Sequence, residues 1–261
     1  MNYWKKQTAD TPLFEDILWS KPESRHTAGK LLIIGGNIHS FHAVAEAYKA
    51  AHAAGVGVCR VILPDALKKI LPNARQLFET CLFVPSTPSG SFSKKSLTDI
   101  LQEAQWADCI LLAGNIGHNS ETSLVIEGLL EKARQKIVIA EDAFESINNI
   151  SLLSNRTDLA IVLSFSQLQK LAIKLRFEHA FRFSMSTQQL VHTLHLFTER
   201  YPMIVITYMQ EIFYISHQGN VITHTTKQPS DIWRVKTAAA SSVFWLQNHI
   251  KPVEAIASSF L

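Results

Sequence analysis

Residues 29–37 read Gly29-Lys30-Leu31-Leu32-Ile33-Ile34-Gly35-Gly36-Asn37. Four apolar residues in a row, ended by two glycines, make a run too short for a helix and apolar at both alternating sets of positions. Such a run predicts a strand buried on both faces, as in a parallel sheet covered by helices. The chain on either side agrees. Residues 43–54 are Ala-rich and of high helix propensity, and Gly55 is a natural C-terminal stop. Residues 56–63 form the next apolar run, closed by Pro64-Asp65. Strand, helix, strand in that order predicts a βαβ unit.

The alternation continues. Residues 93–105 read as a helix, and residues 109–113 as a strand ending in Gly114-Asn115-Ile116-Gly117. Ser120 is expected to N-cap a helix running to about Arg134, with Glu121 near its positive end. Residues 137–140 and 159–163 are short strands, and residues 167–177 and 187–200 are helices. After Pro202 the texture changes to β-rich runs at residues 203–207, 211–216 and 221–225. Gln218-Gly219-Asn220 supplies a turn between the last two and predicts an antiparallel hairpin. Residues 236–247 are again helical, and Pro252 suits the first position of a final helix. The expected fold class is α/β, a mostly parallel central sheet with helices on both faces and an antiparallel edge hairpin. It spans residues 1–261 as one domain, with residues 1–24 as an N-terminal extension.

Composition narrows the function classes. Lys plus Arg is 25 and Asp plus Glu is 22, an excess of +3 spread along the chain, which predicts neither a nucleic acid polymer nor a membrane as partner. The segment before Asp10 lacks the apolar stretch of a signal peptide, so a cytoplasmic protein is expected. Cys59, Cys81 and Cys109 are far apart and odd in number, which suits buried free thiols better than disulfides or a zinc site.

Three loops are candidates for chemistry. Gly35, Gly36 and Asn37 lie where a strand runs into a helix, so backbone can approach a ligand and the helix N-terminus can hold a phosphate; a tight turn explains the same residues. Gly114, Asn115 and Gly117 follow another strand, and open α/β sheets bind ligands beyond the carboxyl ends of strands. Glu141-Asp142 can hold Mg²⁺ through water or bond a sugar hydroxyl, and equally can cap a helix at Ala143. The pairs His39/His42 and His192/His195 have helical spacing but no further ligands beside them, so no metal site is expected. Lys170, Lys174, Arg176 and His179 give a helix a basic face, which reads as solvated.

Taken in order, these segments resemble the ATP- or ADP-dependent NAD(P)H-hydrate dehydratases, a ribokinase-like family. Residues 25–37 are similar to the family's Lys-Gly approach, apolar strand and Gly-Gly-Ser turn. Gly55-Val56-Gly57-Val58 is similar to its Gly-Ala-Gly-Leu, residues 107–117 to its Ala-Asp, strand and Gly-Pro-Gly-Leu-Gly, and residues 137–144 to its Val-Leu-Asp-Ala-Asp-Ala-Leu. The resemblance implies a ribokinase-like fold, a usual homo-oligomer, ATP or ADP with Mg²⁺ as cofactor, and an NAD(P)H-type ligand. In the implied reaction a nucleotide phosphorylates the extra hydroxyl of hydrated NADH or NADPH, and phosphate then leaves.

The departures fall on the chemistry. Ser164-Phe165-Ser166-Gln167 stands where the family has His-Pro-Gly-Glu, and Thr207-Tyr208 where it has Lys-Gly. Val235-Lys236-Thr237-Ala238 aligns with the family's Gly-Thr-Gly-Asp, whose glycine amides form an anion hole and whose Asp is the base. Ala238 cannot accept a proton, and Asp231 is the nearest acid. Lys236 and Thr237, at a helix start, are candidate phosphate contacts. The expectation is a diverged member with nucleotide-binding capacity and weak or absent catalysis. The alternatives are an active dehydratase or small-molecule kinase using Asp231, and a non-catalytic assembly or ligand-sensing protein.

Overall fold

Leu31, Leu32, Ile33 and Ile34 are completely buried, and their alternation divides them between two cores. Leu32 and Ile34 join one apolar cluster, Leu31 and Ile33 the other. They form β2 (Lys30–Gly35), whose neighbours β3 (Val58–Pro64) and β5 (Cys109–Gly114) both run parallel to it. In this computed structural model, which describes residues 2–226 and 232–261 (the Arg75 side chain excepted), β2 lies within a single ten-stranded sheet. The other strands are β1 (Trp4–Gln7), β4 (Thr80–Val84), β6 (Lys136–Ile139), β7 (Leu159–Leu163), β8 (Ile204–Met209), β9 (Ile212–His217) and β10 (Asn220–Thr225). The order is β1-β10-β9-β8-β7-β6-β5-β2-β3-β4. Pairing is parallel from β4 to β8, and β9 runs antiparallel to both of its neighbours, β8 and β10.

The helices are α1 (Glu15–Trp19), α2 (His42–Ala53), α3 (Leu97–Trp106), α4 (Ser120–Lys132), α5 (Ser151–Ser154), α6 (Phe165–Lys174), α7 (Thr187–Arg200), α8 (Trp233–Gln247) and α9 (Pro252–Ser258). The apolar stripes of α3, α4, α6 and α7 pack into the cluster on one face of the sheet, and those of α2, α8 and α9 into the cluster on the other. Among the described residues no helix is long and apolar enough to cross a membrane.

Residues 159–163 and 187–200 have the expected bounds. The hairpin turn closes at Gln218-Gly219, both at positive φ, and pairs His217 with Asn220. Pro252 opens α9 at its first position. The helix expected over residues 93–105 begins with a 3-10 turn, and α6 occupies Phe165–Lys174 because Ser164 and Gln167 form a capping box. Ser120 is not the cap of α4: the Asn119 side chain accepts from the Glu121 N–H at 2.8 Å. Glu121 instead reaches Ser93 Oγ at 3.0 Å and the Lys94 N–H at 2.9 Å.

Part of the segment read as an N-terminal extension is sheet. Trp4–Gln7 pairs in parallel with β10, covering an edge that would otherwise present bare N–H and C=O groups. Gln7 is buried and donates from Nε2 to the Ala257 carbonyl at 2.8 Å. The strand Trp-Lys-Lys-Gln has no apolar run, so local pattern did not announce it; β4, half-buried at the other edge, was likewise unread. Cys59 and Cys109 are buried free thiols, Cys81 is half-buried, and burial pushes the Cys81 thiol up to about 11 and Cys109 up to about 12.

Two outcomes follow from this packing. A Cβ at Gly35 would stand 2.5 Å from the Gly114 carbonyl oxygen and 2.8 Å from Val44 Cγ2. Gly35→Ala should therefore destabilise the protein by about 1–3 kcal/mol, read as a lower urea midpoint. His217 and His224 are buried, and desolvation holds both rings below the ordinary imidazole value of 6.5. The folded state then binds fewer protons than the unfolded chain. Stability is complete above that ordinary value and falls as pH drops below it. The urea midpoint should fall between neutral and mildly acid pH, and fall less in His224→Gln.

Candidate functional site

Loops leaving β2, β5, β6 and β7 meet at the carboxyl end of the parallel sheet. The Gly36 N–H donates to the Gly114 carbonyl at 3.0 Å, tying the first two together. Asn37 Oδ1 accepts from the backbone N–H groups of His39 at 2.8 Å and Ser40 at 3.2 Å, a local turn that Asn favours. Its Nδ2 donates to the Asn115 carbonyl at 2.6 Å. Asn115 sits at φ 55, and its Oδ1 accepts from the Ala43 N–H at 2.8 Å and from Ser40 Oγ at 3.2 Å. Ala43 lies in the first turn of α2, whose own N-cap residue, Phe41, offers no side-chain cap. A side-chain amide oxygen from a distant loop thus takes one of the free N–H groups at the helix end that was expected to hold a phosphate.

The third loop closes over the second. The Gly117 N–H donates to Asp142 Oδ2 at 3.2 Å. Gly114 has φ +101, and a Cβ there would stand 2.4 Å from Glu141 Cβ and 3.0 Å from Asp142 Oδ1. Asp142 Oδ1 is buried without a hydrogen-bond partner among the described residues. Gly35, Gly36, Asn37, Gly114, Asn115, Gly117 and Asp142 therefore come together.

Lys236 and Thr237 make no side-chain hydrogen bond or ion pair to these loops among the described residues, and Ala238 has no polar side-chain group to do so. Helix α8 begins at Trp233, so residues 235–238 lie within its first two turns. The amides left free at its start belong to Trp233, Arg234 and Val235. Val235 and Ala238 are buried against the sheet. Lys236 and Thr237 line a separate groove of about 680 Å³ along α2 and the chain's last residues, where Lys236 stands 3.7 Å from Glu46. Asp231 lies outside the described residues.

Arg234 is the residue that sequence reasoning missed. Its Nη2 donates to Glu141 Oε2 at 2.6 Å and its Nη1 to Gln167 Oε1 at 2.9 Å. Gln167 Nε2 donates to the Glu141 carbonyl at 3.0 Å, and Gln167 is also the capping-box partner of Ser164. One guanidinium thus ties the start of α8 to the β6 loop and the start of α6. Glu141 holds φ 54, and burial pushes its carboxyl pKa up, with the Arg234 charge opposing that shift. The pattern Ser164-x-x-Gln167 signalled the cap; nothing local signalled Arg234.

The remaining candidates are structural. His39 precedes α2, so it and His42 do not share a helix face. Tyr3 bonds His192 Nδ1 at 3.0 Å and stacks on His195 at 3.7 Å, and His195 Nδ1 lies 2.6 Å from the Gly219 carbonyl oxygen. Lys170 pairs with Glu145 at 3.3 Å and Lys174 donates to the Ile147 carbonyl at 3.2 Å; α6 ends before Arg176 and His179. No group of three or more His, Cys, Asp or Glu among the described residues gathers closely enough to hold a metal ion.

Removing Arg234 leaves a largely buried carboxylate without its partner. Arg234→Met should cost about 1–3 kcal/mol and push the Glu141 pKa further up. The double variant Arg234→Met/Glu141→Gln should recover part of that loss, a coupling that a double-mutant cycle of urea midpoints measures.

No family model matches the sequence, and no curated protein matches it. Solved structures do match. A ribokinase-like superfamily protein from Enterococcus faecalis V583 superposes with TM-score 0.72 at 15% identity, over 99% of this chain and 86% of that one. A hypothetical protein from Streptococcus mutans gives TM-score 0.67 at 16% identity, over 94% of this chain and 84% of that one. The ADP/ATP-dependent NAD(P)H-hydrate dehydratase from Bacillus subtilis, co-crystallised with ATP/Mg²⁺, gives TM-score 0.60 at 12% identity, over 95% of this chain and 86% of that one. At these identities the likeness is one of fold, and that fold is ribokinase-like.

Proposed function

We propose that this chain is a diverged relative of the NAD(P)H-hydrate dehydratases that keeps their scaffold and lacks their turnover. Phosphoryl transfer from a nucleotide needs free backbone donors at a helix N-terminus, charge to balance the phosphates, and a route for the hydroxyl proton. The observation that carries the reading is that several polar groups at the strand ends are already bonded to one another, Asp142 Oδ1 being an exception. Asn115 occupies the start of α2, Asp142 occupies the Gly117 amide, and Glu141 with Gln167 occupies Arg234.

Among the described residues, nucleotide phosphates meet fewer free donors than the resemblance implies, while the unpartnered Asp142 Oδ1 would hold Mg²⁺ through water. The Asp142 carboxylate occupies the Gly117 amide, a donor that a phosphate would otherwise use. The buried Ala238 takes the place that the resemblance assigns to a base, and it carries no group that exchanges a proton. The resemblance and the fold likeness support common descent with the dehydratases; the filled strand ends support loss of their chemistry.

The test follows the return of NADH absorbance from hydrated NADH, with ATP or ADP and Mg²⁺, for the wild type and Asp231→Ala. Losing a general base costs about 10²–10⁴-fold, and losing oxyanion-type donors a similar factor again. The expected rate is that of the enzyme-free control for both proteins. Robust turnover by the wild type would overturn the reading, and its loss in Asp231→Ala would identify Asp231 as the base.

A further inference from the structure

The ten-stranded sheet ends in two edges that differ in kind. One edge is β1, four residues long, whose exposed Lys5 and Lys6 disfavour the addition of another strand. The other is β4, which pairs only with β3, in unbroken parallel register from Arg60↔Thr80 to Pro64↔Val84. Its residues, Thr80-Cys81-Leu82-Phe83-Val84, include no charge and no proline, and the register shows no bulge. The devices that blunt a strand edge are thus present at β1 and missing along β4.

The backbone of β4 is open on its outer side. Along a strand, alternate N–H and C=O groups point to opposite neighbours. Those of β4 that point away from β3 have no backbone or side-chain partner among the described residues. The nearest side-chain bonds to backbone lie just beyond its ends, where the Glu79 N–H donates to the Tyr48 hydroxyl and the Ser86 N–H to Asp65 Oδ1, both at 2.9 Å. The side chains are open too. Thr80, Cys81, Leu82 and Phe83 are half-buried, whereas every residue of β5 is buried. Cys81 and Phe83 pack against the apolar cluster on one face of the sheet and Leu82 against that on the other. The connection from β3 into β4 adds the exposed apolar side chains of Ile70 and Leu77.

We propose that β4 pairs with β4 of a second copy of this chain, antiparallel about a two-fold axis at Leu82, so that two ten-stranded sheets become one. An antiparallel ladder is symmetric under a two-fold axis and a parallel one is not, which fits the isologous contact of a homodimer. In this register Leu82 opposes the partner's Leu82, Cys81 the partner's Phe83, and Thr80 the partner's Val84. No charge meets a like charge, and apolar pairs fall on both faces. The ends match as well. Lys68 Nζ stands 5.8 Å from the Phe83 ring centroid, toward the end of β4, and has no ion-pair partner among the described residues. Glu79 stands at the start of β4, where Arg25 Nη2 donates to its Oε1 at 2.9 Å. Antiparallel pairing brings the start of each strand to the end of the other, and so each Glu79 toward the partner's Lys68. A foreign extended segment would use the same backbone groups; the charge match, which recurs at both ends by symmetry, favours a second copy. This interface shares no residue with the Gly117 loops, and its fate is separate from that of the catalytic reading.

Sedimentation velocity from about 1 to 100 μM tests it, and the wild type should pass from monomer to dimer as concentration rises. Disulfide trapping locates the contact. In Cys81→Ser/Leu82→Cys the two remaining native cysteines are buried. Mild oxidation of this folded variant should yield a covalent dimer, because directly opposed residues have Cα atoms about 4.5–5.5 Å apart, within disulfide reach. Cys81→Ser/Leu77→Cys, exposed but away from the axis, should not cross-link under the same conditions. The surface variant Glu79→Lys should weaken the dimer about fivefold or more, and Glu79→Lys/Lys68→Glu should restore part of the loss. A wild type that stays monomeric to about 100 μM would overturn the proposal. So would a dimer for which Cys81→Ser/Leu82→Cys, folded by circular dichroism, gives no covalent product.

Discussion

Burial of the central strands on both faces is the constraint on which the rest of the molecule depends. β2, β5 and β7 have no exposed residue apart from Lys30, so helices must cover both sides and polar loops can emerge only at the strand ends. The strands also pack closely at those ends. Gly35 and Gly114 are in register, and the missing Cβ of Gly35 makes room for the Gly114 carbonyl. These glycines, which suggest ligand approach when read locally, meet a packing need that exists without a ligand.

Crowding the loops together sets the character of the candidate site. Asn115 and Glu141 both adopt positive φ, which costs non-glycine residues on the order of 1 kcal/mol or more each. Each makes compensating contacts. Asn115 caps α2, and Glu141 holds Arg234 while its carbonyl receives Gln167. The strain is thus sustained by protein–protein hydrogen bonds. A catalytic pole of this fold must keep some donors uncommitted for the transferring phosphoryl group. Here the committed donors include the Gly117 amide and the first-turn amide of α2, and the charge nearest to them is negative.

The two poles of the sheet differ in how their charges are used. At the carboxyl pole, Glu141 is matched by Arg234 at 2.6 Å, and the burial that raises its pKa is opposed by that pair. At the other pole, the Lys5 ammonium lies 5.4 Å from the Phe14 ring centroid, and the buried His217 Nε2 has no hydrogen-bond partner among the described residues.

By itself, the sequence determined the elements whose physics is local. The apolar runs at residues 31–35, 109–113 and 159–163 can be nothing but buried strands, and the Gln218-Gly219 turn sets the hairpin. The order of these elements, with the family resemblance, foretold the sheet and the meeting of the Gly36, Gly117 and Asp142 loops. Only the tertiary structure decided that Trp4–Gln7 completes the sheet edge, that Asn115 caps a helix 72 residues away in the chain, and that Arg234 joins Glu141 and Gln167. It also set the start of α8 at Trp233, so that Lys236 and Thr237 lie within the helix and line a groove along α2. The physical reason is the range of the forces. Apolar periodicity is imposed on every residue of an element by burial and can be read within a few residues. A polar side chain that bonds a partner far along the chain leaves no periodic trace, and its role exists only once the sheet has brought the two together.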